Sequence, residues 1–133
     1  MIGTTRPHFL LDTVAAIARL NGDAAFQAAL DPQATLSIPI IVLGELYAGA
    51  ENSAYVDANI KSIDTLASGA SILLCDEQTA RQYAKIVQQL RKKGRPIPQN
   101  DMWIAALVIQ HHLTLLTRDG HFSHIGGLLV KSW

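Results

Sequence analysis

Residues 95–119 read RPIPQNDMWIAALVIQHHLTLLTRD and contain a proline-stiffened loop, an apolar helix and a short strand in succession. Residues 102–109 are apolar on nearly every side, which predicts a buried helix, and residues 113–117 form a short apolar run that predicts a strand. A helix that leads directly into a strand is a building unit of α/β sheets. The remaining chain is therefore expected to supply further strands and helices around this unit.

A carboxylate lies at each end of this unit. Asp101 is in the first turn of the predicted helix, where the helix dipole favours negative charge. Asp119 lies just past the carboxyl end of the predicted strand, where open α/β sheets place their functional groups. Each acid alone has a structural explanation, because Asn100 with Asp101 is typical of a helix cap and Asp119 with Gly120 is typical of a turn. Together the two acids favour a charged site that faces a cation.

Length and composition restrict the class of protein. A chain of 133 residues suits one domain with a substantial core, over residues 1–133. Eleven acidic residues balance eleven Lys and Arg residues, so there is neither a global positive field for nucleic acid nor an acidic excess typical of disorder. The pattern of an export signal is missing from residues 1–8, and no stretch has about 18 consecutive apolar residues, so we expect a cytoplasmic protein that does not insert into membranes. Cys75 lies in an apolar run and is expected to be buried.

The whole chain alternates apolar runs with amphipathic segments. Predicted strands cover residues 9–11, 35–38, 71–75, 113–117 and 128–130, and predicted helices cover residues 14–20, 23–30, 40–50, 55–67, 77–93 and 102–109. This alternation predicts an α/β domain with a mainly parallel sheet. The apolar spacing of the helix at 77–93 predicts that it buries four side chains: Ala80, Tyr83, Val87 and Leu90.

Glu45 is the most informative acid outside the first unit. Its helical neighbours at three and four positions are all apolar or small: Ile41, Val42, Ala48 and Gly49. Its carboxylate is therefore expected to project from a buried face, where an unpaired charge is costly. A partner cation, a bound metal or a raised pKa would relieve that cost.

The densest run of basic residues directly precedes Asp101 in the sequence. This run at residues 91–95 and the predicted helix before it supply five candidates for phosphate binding: Arg81, Lys85, Arg91, Lys92 and Arg95. The alternative explanations are a solvated helix face and a docking surface for a protein partner.

Four motifs together resemble those of a known family. They are LLDT at residues 10–13, PIIVLGELYAG at 39–49, PIPQNDMWIAA at 96–106 and LLTRDGHF at 115–122. In this order they resemble the PIN-domain ribonucleases, in particular the VapC-type toxins of bacterial and archaeal toxin–antitoxin pairs. The resemblance covers residues 9–133 and implies a three-layer α/β/α fold whose mainly parallel sheet has about five strands, with the first and fourth as neighbours. That strand order separates Asp76, an expected helix N-cap after the third strand, from the site.

The resemblance also implies the site and its chemistry. Four acids are implied to be catalytic: Asp12, Glu45, Asp101 and Asp119. Three of them are implied to bind a divalent metal, with two hydroxyls in support: Asp12, Asp101 and Asp119, with Thr13 and Thr117. The implied cofactor is Mg²⁺ or Mn²⁺, and the implied partners are an RNA substrate, a protein antitoxin and a second copy of the chain in a homodimer. Carboxylates suffice for such a site, because hard oxygen ligands hold an ion that activates water and neutralises phosphate charge.

Three alternatives stay open. A haloacid-dehalogenase-like phosphatase would need a second Asp two positions after Asp12, where this chain has Val14. A non-toxin PIN nuclease of RNA processing would share every acid. A catalytically silent RNA-binding or partner-binding module would keep the fold, and Val14 agrees with that alternative because the family usually has asparagine or serine there. His121 and His124 form an H-x-x-H sequence that is expected to lie in a loop without zinc, although His121 could contact substrate.

Overall fold

The computed structural model describes residues 6–133. Within that range, five strands form one sheet: β1 (His8–Leu11), β2 (Thr35–Pro39), β3 (Ser71–Leu73), β4 (Thr114–Leu116) and β5 (Leu129–Lys131). In the same range there are six α-helices: α1 (Thr13–Leu20), α2 (Ala24–Ala29), α3 (Ile40–Glu51), α4 (Val56–Ser68), α5 (Glu77–Lys93) and α6 (Gln99–Gln110). A short 3-10 helix at Gly120–His124 follows β4. The expectation about an export signal rests largely on residues 1–5, which lie outside the described residues.

The sheet has the strand order β3-β2-β1-β4-β5, and all four pairings between neighbours are parallel. This arrangement confirms the predicted α/β class, and it confirms that β1 and β4 are neighbours. The chain builds the sheet outward from β1 through β2 to β3, then returns to place β4 on the other side of β1. The order therefore reverses between β1 and β4, and open α/β sheets bind ligands at such a switch point.

The core is densest around α6 and the central strands. Residues 104–108 of α6 are all buried, which confirms the buried helix predicted from their apolar character. Leu10 and Leu11 of β1 and Leu115 of β4 have no exposed surface. Helix α6 packs beside α5 as a helical hairpin and also contacts α3. The acidic first turn of α6 is consequently fixed relative to the centre of the sheet.

Helix α5 has the predicted bounds but a different buried face. Its buried residues are Thr79, Ile86 and Leu90, whereas Ala80 is exposed and Tyr83 and Val87 are half-buried. The prediction that Ala80 is buried is therefore wrong. Thr79 can be buried in place of Ala80 because its hydroxyl has a partner there: it donates to Gln110 Oε1 of α6 at 2.5 Å.

The prediction that Cys75 is buried is also wrong. Strand β3 lies at the edge of the sheet and ends at Leu73, two residues earlier than predicted. Cys75 therefore follows the strand and is exposed, as is Leu74. Burial still raises the pKa of the Cys75 thiol in part, and the nearby Asp76 carboxylate raises it further.

Helix α1 buries its smallest side chains. Ala15 and Ala16 have no exposed surface, whereas Val14 is 53% exposed and Ile17 is 43% exposed. The alanines allow α1 to lie close to the sheet, and its larger apolar residues remain on the surface. In the part of the chain that the structure describes, no helix combines the length and the apolar character needed to cross a membrane.

Candidate metal centre

Four carboxylates meet at the carboxyl ends of β1 and β4. Asp12 directly follows β1 and Asp119 follows β4, while Glu45 is on α3 and Asp101 is in the first turn of α6. Neighbouring parallel strands end at the same edge of a sheet, so Asp12 and Asp119 are brought together by the β1–β4 pairing. The negative charges of Asp119 and Glu45 raise the pKa of Asp12, and the negative charges of the three other acids raise the pKa of Asp101. The structure thus brings all four predicted acids to one place.

Asp12 is the most buried of the four, with 5% of its surface exposed. One oxygen, Oδ1, accepts the backbone N–H of Ala15 at 2.8 Å and caps helix α1. The other, Oδ2, accepts a short hydrogen bond from the Thr117 hydroxyl. Burial raises the pKa of Asp12, the two hydrogen bonds oppose that rise, and the charges of Asp119 and Glu45 add to it. The carboxylate is held in one orientation by groups that favour its charged form.

Thr117 links the two acids that follow the central strands. Its side chain is buried, and its hydroxyl oxygen accepts the backbone N–H of Asp119 at 2.9 Å while its proton goes to Asp12. One hydroxyl therefore satisfies groups on both sides of the β1–β4 junction. This is the position of support that the family resemblance implies for Thr117.

Glu45 is held by one hydrogen bond on each oxygen. Oε2 accepts from the Thr13 hydroxyl at 2.7 Å, and Oε1 accepts from the Asn100 side-chain amide at 3.0 Å. Glu45 is half-buried, and Ala48 and Gly49 on the following turn are exposed. The expected buried face is therefore only partly present, because this side of α3 opens into a groove between α1 and α4.

Asn100 and His121 complete the cluster. Asn100 was interpreted from sequence only as part of a helix cap, and its bond to Glu45 spans 55 positions that local pattern does not connect. His121 lies in a 3-10 helix rather than the expected loop. Its Nδ1 is 3.0 Å from Asp119 Oδ1 and 3.9 Å from Asp101 Oδ2. His124 is not among these donor groups, and its backbone carbonyl accepts from Lys93 Nζ at 2.8 Å.

The donor atoms present fit a divalent cation. Among the described residues, Asp101, Asp119 and His121 each offer one donor atom within 4.8 Å of the others. Burial raises the pKa of Asp101, the charge of Asp119 raises it next, and His121 opposes the rise. The raised pKa shows that the negative charge of Asp101 is not balanced by a nearby positive charge. A bound Mg²⁺ or Mn²⁺ ion, which takes oxygen ligands, would balance it. Asp12 borders this group of three, with its own oxygens already hydrogen-bonded.

The candidate phosphate-binding bases are spread along the α5–α6 hairpin. Arg91, Lys92 and Arg95 are exposed at its turn, at the same end as Asp101. Arg81 is at the other end, paired with Glu77 at 2.9 Å, near the end of α6. From Asp101 to Gln110 the axis of α6 rises by roughly 13 Å, so Arg81 is well separated from the acids.

The family of the chain follows from comparison with known proteins. A model of the PIN domain matches residues 9–128. The chain belongs to the PIN-domain family. This PIN-domain protein is 30% identical to Ribonuclease VapC5 of Mycobacterium tuberculosis over 128 residues, covering 95% of this chain and 93% of that one. It is 32% identical to Ribonuclease VapC1 of Haemophilus influenzae over 103 residues, covering 77% of each.

A solved structure supports the same assignment. VapBC2 from Rickettsia felis, bound to a DNA fragment from its promoter, superposes with a TM-score of 0.87 and 26% identity, over 95% of this chain and 98% of that chain. These matches confirm the resemblance to PIN-domain ribonucleases of the VapC type. They also exclude a haloacid-dehalogenase-like phosphatase, an alternative that the sequence left open.

Proposed function

We propose that this PIN-domain chain is a metal-dependent endoribonuclease and the toxin of a toxin–antitoxin pair, with residues 1–133 acting as one nuclease domain. The observation that carries the proposal is the convergence of four acids at the junction of β1 and β4. The ribonuclease names of the VapC relatives support the reaction, and the VapBC complex supports a protein antitoxin.

In this proposal Asp12, Asp101 and Asp119 hold Mg²⁺ or Mn²⁺, with His121 within reach of the same ion. When bound, such an ion activates a water molecule and neutralises charge that develops on the phosphate. Thr117 keeps Asp12 and Asp119 in position, because it is hydrogen-bonded to both.

Glu45 is the fourth acid of the proposed active site. Thr13 and Asn100 fix its two oxygens, so the carboxylate cannot rotate freely. It is half-buried and lines an open groove, where it would orient a water molecule beside the bound phosphate. A held carboxylate in that place contributes through positioning and proton acceptance.

The RNA strand needs local positive charge, because the chain is neutral overall and its site is acidic. Arg91, Lys92 and Arg95 supply that charge at the end of the hairpin nearest the acids, and Lys85 and Arg81 extend it along α5. The partners proposed are thus RNA, a protein antitoxin and a second copy of the chain. The exposed apolar residues Val14 and Ile17 give α1 a surface suited to a protein partner.

A non-toxin PIN nuclease and a catalytically silent module differ from this proposal in what they do in cells. The intact hydrogen bonds on Asp12 favour an active site over a silent module, and Val14 takes no part in them. Expression of the chain without an antitoxin should arrest growth, and Asp119→Asn should relieve the arrest. Equal arrest by both versions would contradict catalysis as its cause.

The reaction itself is tested with purified protein. We expect cleavage of single-stranded RNA in Mn²⁺, no cleavage in EDTA, and no detectable cleavage by Asp119→Asn. Asp76→Asn is the matched control, because Asp76 also follows a sheet strand but caps α5 away from the cluster. Cleavage that survives both EDTA and Asp119→Asn would contradict the proposal.

A further inference from the structure

A cavity of about 340 Å³ lies at the turn of the α5–α6 hairpin. Its walls are mostly apolar and include Tyr83 and Val87 of α5, Ile97 of the connecting loop and Met102 of α6, with Arg91 as the charged member. The size falls within the range of small-ligand pockets, about 300–1,000 Å³. The acid cluster does not account for this cavity, because none of its members lines it.

The Tyr83 ring forms a fixed wall of the cavity. Trp103 stacks on one of its faces, with ring centroids 4.0 Å apart and planes 11° from parallel. The Gln99 side-chain amide donates to the Tyr83 hydroxyl at 3.3 Å. Because Trp103 covers one face, the ring meets the cavity with its other face or its edge. An aromatic ring that lines a cavity can stack with a flat group on the face that Trp103 does not cover.

The connecting loop closes the cavity from the opposite side. Gly94 ends α5 with φ of +62°, a conformation that favours glycine, and this turn brings Ile97 back against the helix. Ile97 is 8% exposed, so the wall that it forms is anchored in the core. The cavity therefore has two fixed walls, one formed by Tyr83 and the other by Ile97.

The charge around the cavity restricts what it can hold. Arg91 lines it, and Lys92 and Arg95 are exposed at the same turn, so an occupant with a flat apolar part and an attached anion is favoured. A nucleotide has both parts. Met102, which lines the cavity, directly follows Asp101 in α6, so the cavity and the acidic first turn lie at the same end of this helix.

We propose that this cavity binds one unpaired base of the RNA strand, stacked on Tyr83, with Arg91 contacting an adjacent phosphate. The proposal rests on the proposed ribonuclease function and adds a subsite that would influence where the strand is cut. Stacking does not depend on hydrogen bonds to the base edge, so the subsite selects an unpaired base and the shape of the strand more than one sequence.

The test is an abasic scan of the unaltered protein. A fluorescent single-stranded ribo-oligonucleotide, cut to the shortest length that keeps full affinity so that it binds in one register, is bound in EDTA, and one abasic nucleotide is placed at each position in turn. We expect one position at which loss of the base weakens binding by about 5- to 150-fold, the effect of losing one base–aromatic stack. Equal affinity for all the abasic strands would overturn the subsite. This test uses no protein variant, so misfolding cannot affect its result.

Variants assign the effect to the ring. Tyr83→Leu should weaken binding of the intact strand and abolish the position-dependent loss, whereas Tyr83→Phe, which keeps the ring, should retain that loss. Tyr55→Leu is the matched control, because Tyr55 is 75% exposed and precedes α4. If Tyr83→Leu alters only the oligomeric state or antitoxin binding, the cavity belongs to a protein interface and the subsite is overturned.

Failure of the subsite and failure of the ribonuclease proposal have different signatures. A flat abasic scan together with Mn²⁺-dependent cleavage leaves the ribonuclease intact and removes the subsite. A chain that neither binds nor cuts any RNA removes both.

Discussion

The hydroxyl of Thr117 donates a hydrogen bond to the carboxylate of Asp12, across 105 positions of the chain. The same oxygen accepts the backbone N–H of Asp119 at 2.9 Å. Thr117 and Asp12 are both buried, so little water competes for these bonds. The pairing of β1 with β4 is what makes the contact possible.

Thr117→Val should weaken binding of divalent metal by about 10- to 100-fold, the usual effect of removing a group that orients a ligand. The substitution keeps the shape of the side chain but removes the hydrogen bond that favours charged Asp12. Calorimetric titration with Mn²⁺ measures the change. Thr65→Val is the control, because the Thr65 hydroxyl bonds only to the carbonyl of Lys61 on an exposed helix. Equal affinities for both variants would count against the role of Thr117.

Asp101→Asn should raise the melting temperature of the metal-free protein and abolish its stabilisation by metal. In the native protein, Mn²⁺ at a hundredfold excess over its dissociation constant should raise the free energy of unfolding by about 2.7 kcal/mol. Asp76→Asn should instead lower the melting temperature, because backbone and side-chain hydrogen bonds lower the pKa of Asp76 and favour its charge. If both variants had a raised melting temperature, the stabilisation would come from the loss of a negative charge in general rather than from relief of repulsion within the acid cluster.

The same pKa shifts set the pH dependence of the metal-free protein. The pKa values of Asp12 and Asp101 are raised above 3.8, so the folded state binds protons that the unfolded state has already lost. Their contribution to stability is complete below about pH 3.8 and is lost as the pH rises through the raised folded values. Asp101→Asn should reduce this loss, as measured by denaturant unfolding at a series of pH values.

Most of the fold is readable from the sequence, because β1 and β4 are apolar runs that are followed by an acid. Asp12 and Asp119 mark the ends of β1 and β4, and the apolar character of residues 104–108 marks α6. The features that the sequence does not predict depend on contacts between residues that are distant along the chain. The bond from Thr79 to Gln110 satisfies a buried hydroxyl on α5, and the edge position of β3 leaves Cys75 exposed.

In the site, too, sequence pattern misses the contacts between distant residues. The four acids were predictable because motifs in the right order resemble a family, whereas Asn100 has no local signal for its contact with Glu45. His121 had one signal, its place two residues after Asp119, which identified it as a possible substrate contact. Its position beside Asp101 also depends on how the 3-10 helix follows β4.

His121→Ala should reduce the affinity for Mn²⁺ more than the affinity for Mg²⁺. Imidazole nitrogen is a better ligand for Mn²⁺ than for Mg²⁺, which prefers oxygen, and His121 Nδ1 lies among the donor atoms of the cluster. Paramagnetic resonance of Mn²⁺, with Mg²⁺ as competitor, measures both affinities. The exposed His111 at the end of α6 provides the control substitution. An equal loss for both ions would show that His121 acts by positioning the neighbouring carboxylates rather than as a metal ligand.

Neutralising Lys92 and Arg95 together should weaken RNA binding and leave metal binding unchanged. Phosphate contacts on single strands contribute a salt slope of roughly 0.7 each, so the double variant should flatten the salt dependence by up to twice that amount. Anisotropy titrations at several salt concentrations measure it, with Lys61→Gln on α4 as the control. An unchanged slope with a weakened antitoxin complex would assign these bases to the partner.

The most direct test of the metal centre is an anomalous difference map from crystals of the protein soaked in Mn²⁺. The account predicts a peak among the carboxylates of Asp12, Asp101 and Asp119 in the native protein and its loss in Asp101→Asn. A well-ordered cluster without a peak, or a peak bound elsewhere on the chain, would contradict it.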